Sequence, residues 1–210
     1  MDLIEKATVM HYHRHRITEF KHGTVESLGW RGEHSQQARY QALIKVANLN
    51  GQSILDVGCG YGDLKAFLDL HFSDFDYLGI DQMQEFIAEA RNRYEGIART
   101  TFFQSDFSTA ELPLVDIVFA SGALGYRCRN KSFYIDMICK LYNSAQVALA
   151  FNMLDKRHFP QHDLLVAHDR EEILAFCQVL SSRVECIEGY LEDDFTVLVH
   201  RDIVNSDLSV

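Results

Sequence analysis

Two spacings of hydrophobic residues alternate along the chain. Short apolar runs, of the kind that form buried strands, cover 53–57, 77–80, 100–104, 115–120, 146–151, 184–187 and 195–199. Between these runs, apolar residues recur at the spacing of one helix face, as Met83, Phe86, Ile87 and Ala90 do. Strands that alternate with helices predict a mostly parallel sheet with helices on both faces.

The last two runs are joined differently, because residues 188–194 are too few for a helical crossover. Parallel neighbours need such a crossover, whereas antiparallel neighbours can be joined by a short loop. The two final strands are therefore predicted to pair antiparallel. The whole pattern predicts an α/β fold with a doubly wound, mostly parallel seven-stranded sheet whose last strand is antiparallel.

The first 50 residues precede this alternation and are predicted to be helical. Asp2 followed by Glu5 predicts a capped helix. Its apolar side is predicted to be formed by Leu3, Ile4, Ala7 and Met10. Ser35 is predicted to cap a second helix, after a loop over 22–32. We expect one domain, 1–210, in which residues 1–50 form a helical N-terminal lid on a core at 51–200.

Composition and charge narrow the class of protein. The 210 residues carry a formal net charge of −10, which disfavours a nucleic acid as partner. The five cysteines are scattered, and no pair forms C-x-x-C. The sequence shows neither a signal peptide nor an apolar run long enough for a membrane span. We therefore expect a reduced, cytoplasmic protein without a membrane partner; the sequence does not predict its oligomeric state.

The first predicted strand runs into a glycine-rich turn, Asp56-x-Gly58-x-Gly60-x-Gly62, followed by a predicted helix. Glycine lets the main chain adopt positive φ and lets a ligand approach the backbone closely. A dinucleotide fingerprint would need its third glycine where Asp63 stands. An oxidoreductase that uses a nucleotide cofactor is therefore disfavoured.

This turn resembles motif I of the class I S-adenosylmethionine-dependent methyltransferases. The resemblance covers about residues 50–200 and includes the predicted sheet with its reversed final hairpin. It implies that S-adenosylmethionine is the cofactor and that the reaction is an in-line methyl transfer. A non-catalytic protein that binds the same cofactor, as a sensor or partner subunit, would share this motif and stays open.

In such a fold, ligands bind beyond the carboxyl ends of the strands. Asp81 ends the second strand, 19 positions after Gly62, which predicts that it binds the ribose, although it could instead cap the next helix. The resemblance implies that Asp106 accepts from the adenine amino group and that Asp56 supports the turn. It also implies that Phe107 lies near the ring, although an ordinary core position is equally open for this residue. The predicted cofactor-binding residues are Asp56, Gly58, Cys59, Gly60, Gly62, Asp81, Gln82, Asp106, Phe107, Ser121 and Gly122.

A catalytic base is needed only if the acceptor must lose a proton. The candidates lie in the lid and in the connection after the fifth strand: Tyr12, His13, His15, His162 and His168. For any single histidine, an ordinary surface or loop position is favoured over a catalytic role. The alternate histidines from 11 to 15 do not predict a metal site, because such positions point apart on a helix.

The acceptor is predicted to be a small molecule. The motif Asn-Pro-Pro-Tyr, typical of amino-base methyltransferases, is missing after the fourth strand, where residues 121–124 read Ser-Gly-Ala-Leu. Four aromatic residues are candidates for the pocket wall: Trp30, Tyr40, Tyr126 and Phe159. Residues 1–35 and 152–169 are predicted to form this pocket and to close over the cofactor.

Overall fold

The computed structural model describes residues 1–202 as a single mixed sheet with helices on both faces. The strands are β1 (Gln52–Val57), β2 (Phe75–Asp81), β3 (Thr100–Gln104), β4 (Val115–Ala120), β5 (Ala145–Asp155), β6 (Ala167–His168), β7 (Val184–Ile187) and β8 (Asp194–His200). The helices are α1 (Leu3–Glu19), α2 (Glu33–Leu43), α3 (Asp63–Asp69), α4 (Gln84–Arg93), α5 (Phe133–Ser144) and α6 (Arg170–Leu180).

The strand order is β3-β2-β1-β4-β5-β8-β7. The strands β1 to β5 pair parallel, whereas β8 is antiparallel to both β5 and β7. The predicted doubly wound sheet with an antiparallel last strand is therefore confirmed. The order of the strands reverses between β1 and β4, so the carboxyl ends of these two strands flank the crevice where such folds bind ligands.

Side chains of the central strands alternate between two hydrophobic layers. On β1, Leu55 and Val57 pack with α5 and α6, while Ile54 packs with α2, α3 and α4. Because both faces of the sheet are covered, the strands read as continuous apolar runs. No helix within residues 1–202 is long and apolar enough to cross a membrane.

The fifth strand is longer than the sequence predicted. It continues from 151 to Asp155 because β8 pairs with it along this stretch, with Asn152 opposite Thr196 and Leu154 opposite Asp194. The short strand β6 pairs with its end. The connection predicted over 152–169 is thus partly strand, and its irregular part is confined to 156–166.

Two predictions about the N-terminal helices were wrong in detail. Asp2 and Glu5 do form a capping box, but Leu3 and Ile4 are 82% and 66% exposed. The first helix is much longer than its first turns and buries Val9 and His13 from its middle instead. The second helix begins at Glu33, so Ser35 lies inside it, where its hydroxyl donates to the carbonyl of Gly32.

Candidate functional site

A deep cavity opens at the carboxyl edge of the parallel strands. Its floor comes from the residues that follow four neighbouring strands: Gly58 after β1, Asp81 at the end of β2, Asp106 after β3 and Ser121 after β4. These residues are far apart in sequence, and the parallel sheet brings them to one edge. The N-terminal helices, the loop between them and the segment before β8 complete the wall.

The glycine-rich turn is fixed to the end of β2 by backbone hydrogen bonds. The amides of Gly58 and Cys59 donate to the carbonyl of Ile80 at 2.8 and 3.0 Å. Gly58, Gly60 and Gly62 have φ values of +76°, +55° and +79°. L-residues rarely adopt this region, so the path of the turn requires glycine.

The loop over 20–32 lies directly on two of the site's glycines. A Cβ on Gly60 would lie 2.8 Å from Cδ2 of Leu28, and a Cβ on Gly122 would lie 2.8 Å from the ring of Trp30. Gly62 is different, because its Cα faces Tyr94 and Phe102 and it does not line the cavity. Gly60 and Gly122 thus leave room for the loop that packs on them, while Gly62 leaves room for the rings of Tyr94 and Phe102 behind the turn.

Asp81 connects the turn to the start of α4. Its carboxylate accepts from the amide of Gly60 at 3.1 Å and from the amide of Met83 at 2.8 Å. Burial raises its pKa to about 6, against the lowering effect of these two donors. A carboxylate has about four acceptor positions, so two remain for ligand hydroxyls.

Asp56 is buried beneath the turn, and its hydrogen bond goes across to β2. The hydroxyl of Tyr77 donates to its carboxylate at 2.5 Å. Burial raises the pKa of Asp56 to about 7. Among the hydrogen bonds of residues 1–202, none joins this carboxylate to the glycine turn, so the expected support of the turn comes from the Ile80 carbonyl and Asp81 instead.

Asp106 faces the cavity, but its carboxylate is already engaged. It pairs with the Lys6 ammonium at 2.5 Å and accepts from the amide and hydroxyl of Ser108 at 2.9 and 2.6 Å. Burial acts to raise its pKa, yet Lys6 and Ser108 outweigh it and hold that pKa below its usual value. Gln82 and Phe107 also line this end of the cavity.

The turn after β4 is held by a residue that the sequence analysis missed. The buried Asn152 accepts from the amide of Gly122 at 2.9 Å and donates to the hydroxyl of Ser121 at 3.4 Å. Asn152 lies on β5 next to β4, and the prediction had ended that strand one residue earlier. The sequence does contain a signal for this role, because Asn152 is a polar residue directly after the apolar run 146–151, where the strand was predicted to end.

Of the five candidate bases, His13 alone lines the cavity. Its Nε2 lies 2.7 Å from the Tyr126 hydroxyl, and burial lowers its pKa to about 4, so the ring is neutral at pH 7. His15 is exposed, and His162 accepts two backbone amides within its own loop. Tyr12 and His168 also lie outside the cavity lining.

The outer wall is aromatic and contains paired charges. Trp30, Tyr40, Tyr126 and Phe159 all line the cavity. The sequence analysis missed two ion pairs that share this wall: Arg31 with Asp193, and Arg39 with Asp194. Their partners lie more than 150 positions apart, so no local pattern reveals them. Within residues 1–202, no group of three or more His, Cys, Asp or Glu is placed to hold a metal ion.

A family profile described as a methyltransferase domain matches residues 54–163, just over half of the chain. The match includes the glycine-rich turn, the Asp81 carboxylate and the turns after β3 and β4. It therefore covers every strand end that forms the floor of the cavity.

Two relatives show how far the likeness extends. The trans-aconitate 2-methyltransferase of Acidovorax sp. (strain JS42) is 27% identical over 134 residues, which are 63% of this chain and 50% of that protein. A Mycobacterium tuberculosis (strain ATCC 25618 / H37Rv) protein described as a methyltransferase is 29% identical over 157 residues, 71% of this chain and 93% of its own. The chain thus spans about half the length of the first relative.

Among solved structures, the magnesium protoporphyrin IX methyltransferase of Synechocystis PCC 6803, crystallised with bound SAH, has a TM-score of 0.68. The alignment covers 94% of this chain and 100% of that one at 19% identity. The TM-score and the coverage show a shared fold over nearly the whole chain.

We predict that Gly62→Ala destabilises the protein more than Gly51→Ala does. Both positions have φ of +79°, so both variants carry the same backbone strain. At Gly62 the new methyl would also lie 2.8 Å from Tyr94 and 2.9 Å from Phe102, whereas nothing lies within 4 Å at Gly51. The extra loss should be about 1–3 kcal/mol in the free energy of unfolding, measured with denaturant. Equal losses would contradict the packing role of Gly62.

Proposed function

This chain belongs to the class I family of S-adenosylmethionine-dependent methyltransferases, and on that premise we propose that it transfers the methyl group of this cofactor to a small-molecule acceptor. The observation that carries the proposal is the glycine turn, whose Gly60 amide is bound by the Asp81 carboxylate at the neighbouring strand end. The relatives named for trans-aconitate and magnesium protoporphyrin IX support a small acceptor. The five cysteines are free, which fits a place in the reducing cytoplasm.

The residues of the cavity floor fit the proposed cofactor. Gly58 and Gly60 line the cavity without side chains of their own, so a ligand there can approach the main chain. We assign the ribose hydroxyls to Asp81, which keeps free acceptor positions, and the adenine ring to the side of Phe107. Ser121 and Gly122 would lie beside the methionine portion. When bound, S-adenosylmethionine supplies an electrophilic methyl group on a positively charged sulfur.

The chain's own contribution to transfer is alignment and exclusion of water. The buried Phe86 and the partly buried Tyr126 both pack on His13 and would limit access of water to the reacting atoms. Fixed positions would convert the encounter into an oriented reaction. Neutral His13 can orient an acceptor by a hydrogen bond, but with a pKa of about 4 it is a weak base. The proposed acceptor therefore does not depend on this residue for a strong base.

We also propose that the N-terminal segment acts as a lid. The first helix crosses the carboxyl edge through polar contacts: Lys6 with Asp106, Arg14 with Glu85 at 2.7 Å, and Glu5 with the amide of Arg129 at 2.6 Å. It buries only Val9 and His13. Charged contacts with little apolar burial suit an element that must release for ligand exchange.

Asp81→Asn is expected to weaken binding of S-adenosylhomocysteine by about tenfold or more, because hydrogen bonds to a charged group contribute about 1.5–3 kcal/mol. Calorimetry measures this affinity. The matched control is Asp76→Asn, also on β2, whose exposed carboxylate pairs with Arg99 away from the cavity. Unchanged affinity in Asp81→Asn would refute the ribose role. Wild-type protein that binds NADH and ignores S-adenosylmethionine would refute the proposed cofactor.

The same affinity should depend on pH. The pKa of Asp81 is raised to about 6, so its carboxylate form grows between about pH 5 and 7. Ligand hydroxyls donate to the ionised form, so binding should strengthen as pH rises through this window and release protons. Asp81→Asn should lose this dependence. An affinity that falls with rising pH in the wild type would contradict the assignment.

Replacing Lys6 and Arg14 together by Met should loosen the lid, because both ion pairs of α1 with the cavity edge are lost. We expect faster amide exchange over α1 and faster release of S-adenosylhomocysteine, measured by mass spectrometry and stopped flow. High salt should do the same to the wild type, since screening weakens exposed pairs. Arg99→Met removes exposed ion pairs elsewhere and serves as control. Exchange that ignores both the variant and salt would contradict the lid.

A further inference from the structure

Every Lys and Arg that lines the cavity within residues 1–202 is paired with an aspartate. The three pairs are Lys6 with Asp106, Arg31 with Asp193 and Arg39 with Asp194, each at 2.5 Å. A cation that already has a carboxylate partner offers little to a second one. Within residues 1–202, the wall therefore presents no Lys or Arg side chain that lacks a carboxylate partner.

The Arg39–Asp194 pair is the most firmly held of the three. Its side chains are 9% and 2% exposed, and the hydroxyl of Tyr190 also donates to Asp194. Arg39 further donates to the carbonyl of Ser35 at 3.1 Å and covers the ring of Trp30 at 4.8 Å. Separating a buried pair leaves an uncompensated charge, so an acceptor would have to work against this network.

The Arg31–Asp193 pair differs because it lies at the mouth of the cavity. The Arg31 side chain is 68% exposed, and its guanidinium meets Asp193 at 2.5 Å. Removing this aspartate would release a cation without opening the core. A substitution of Asp193 can therefore unpair Arg31, and so change the charge of the cavity wall, while the protein stays folded.

Carboxylates outnumber cations in the cavity, because Asp56 and Asp81 add to the three paired aspartates. An excess of negative charge suits a cofactor with a positive sulfur. The same excess repels an acceptor that carries several carboxylates. A tricarboxylate such as the one in the name of the Acidovorax relative would find no unpaired Lys or Arg side chain on the described part of this wall.

The rest of the cavity wall includes aromatic side chains and the polar side chain of His13. Trp30, Tyr40, Phe86 and Tyr126 all line it, and aromatic side chains pack favourably with a planar ring. Beside them, the buried Nδ1 of His13 has no hydrogen-bond partner in the described part of the chain, while Nε2 is bonded to Tyr126. Mostly apolar walls with few polar groups select a ligand by shape and by one oriented contact.

We infer that the acceptor is an uncharged aromatic molecule with one hydroxyl or amino group, and that the paired arginines exclude polycarboxylates. This rests on the proposed function, which places the acceptor in this cavity. The acceptor's oxygen or nitrogen gives its lone pair to the methyl carbon as the carbon–sulfur bond breaks. The sulfur keeps that bonding pair, and the proton that the acceptor loses passes to solvent.

Trp30 is the only tryptophan and lines the cavity, so its fluorescence reports binding without turnover. The probes are 4-methylphenol, 4-methylbenzoate and trans-aconitate, titrated with and without S-adenosylhomocysteine. We expect 4-methylphenol to bind at least about tenfold more tightly than 4-methylbenzoate and trans-aconitate not to bind. Equal or tighter binding of either acid, or no binding of any probe, overturns the inference. Calorimetry with S-adenosylhomocysteine tests the cofactor separately, so the two failures are distinguishable.

Asp193→Asn tests the cause of this selectivity. It should free Arg31 and strengthen 4-methylbenzoate binding by about tenfold while leaving 4-methylphenol unchanged. The matched control is Asp76→Asn, which removes a carboxylate partner of Arg99 outside the cavity and should change neither affinity. If Asp193→Asn leaves the preference as it is in the wild type, pairing of the arginines does not set the charge selectivity.

Discussion

The hydrogen bond from the Gly60 amide to the Asp81 carboxylate joins the ends of two neighbouring strands. It fixes the turn after β1 against the start of α4, since the same carboxylate also accepts from the Met83 amide. The turn can follow this path because its glycines adopt positive φ. The rest of the site depends on this link, because it sets the distance between the main chain of the glycine turn and a carboxylate. A cofactor with a ribose and a charged tail needs both.

The loop over 20–32 packs directly on the glycines of the cavity floor. Leu28 packs against Gly60, and Trp30 packs against Gly122. A side chain at either glycine would clash with these residues. Above them, the charges are arranged in pairs, and a neutral His13 lies among aromatic rings. Under the proposed function, the floor would bind the cofactor and the wall would distinguish acceptors by charge and shape.

Much of this could be predicted from the sequence, because the relevant signals are local. The strands β3, β4 and β7 were predicted to the residue, since turn residues bound each apolar run. The glycine turn and Asp81 follow one another within a single strand–helix–strand unit, so their spacing is readable.

The rest depends on contacts between distant parts of the chain. The end of β5 contains Asn152 and Asp155, residues that strands disfavour. Pairing with distant strands keeps them extended: Asn152 lies opposite Thr196 of β8, and Asp155 lies opposite His168 of β6. Asp194 joins Arg39 from 155 positions away. The exposure of Leu3 and Ile4 follows from where α1 docks, which its own periodicity does not specify.

A crystal structure with S-adenosylhomocysteine tests the central claim most directly. The account predicts both ribose hydroxyls within hydrogen-bond distance of the Asp81 carboxylate, with the Gly60 amide still bound to it. We also expect the nucleoside to lie against the main chain of the glycine turn at Gly58 and Gly60. A nucleoside bound elsewhere, or an Asp81 turned away from the ribose to serve α4 alone, would contradict it.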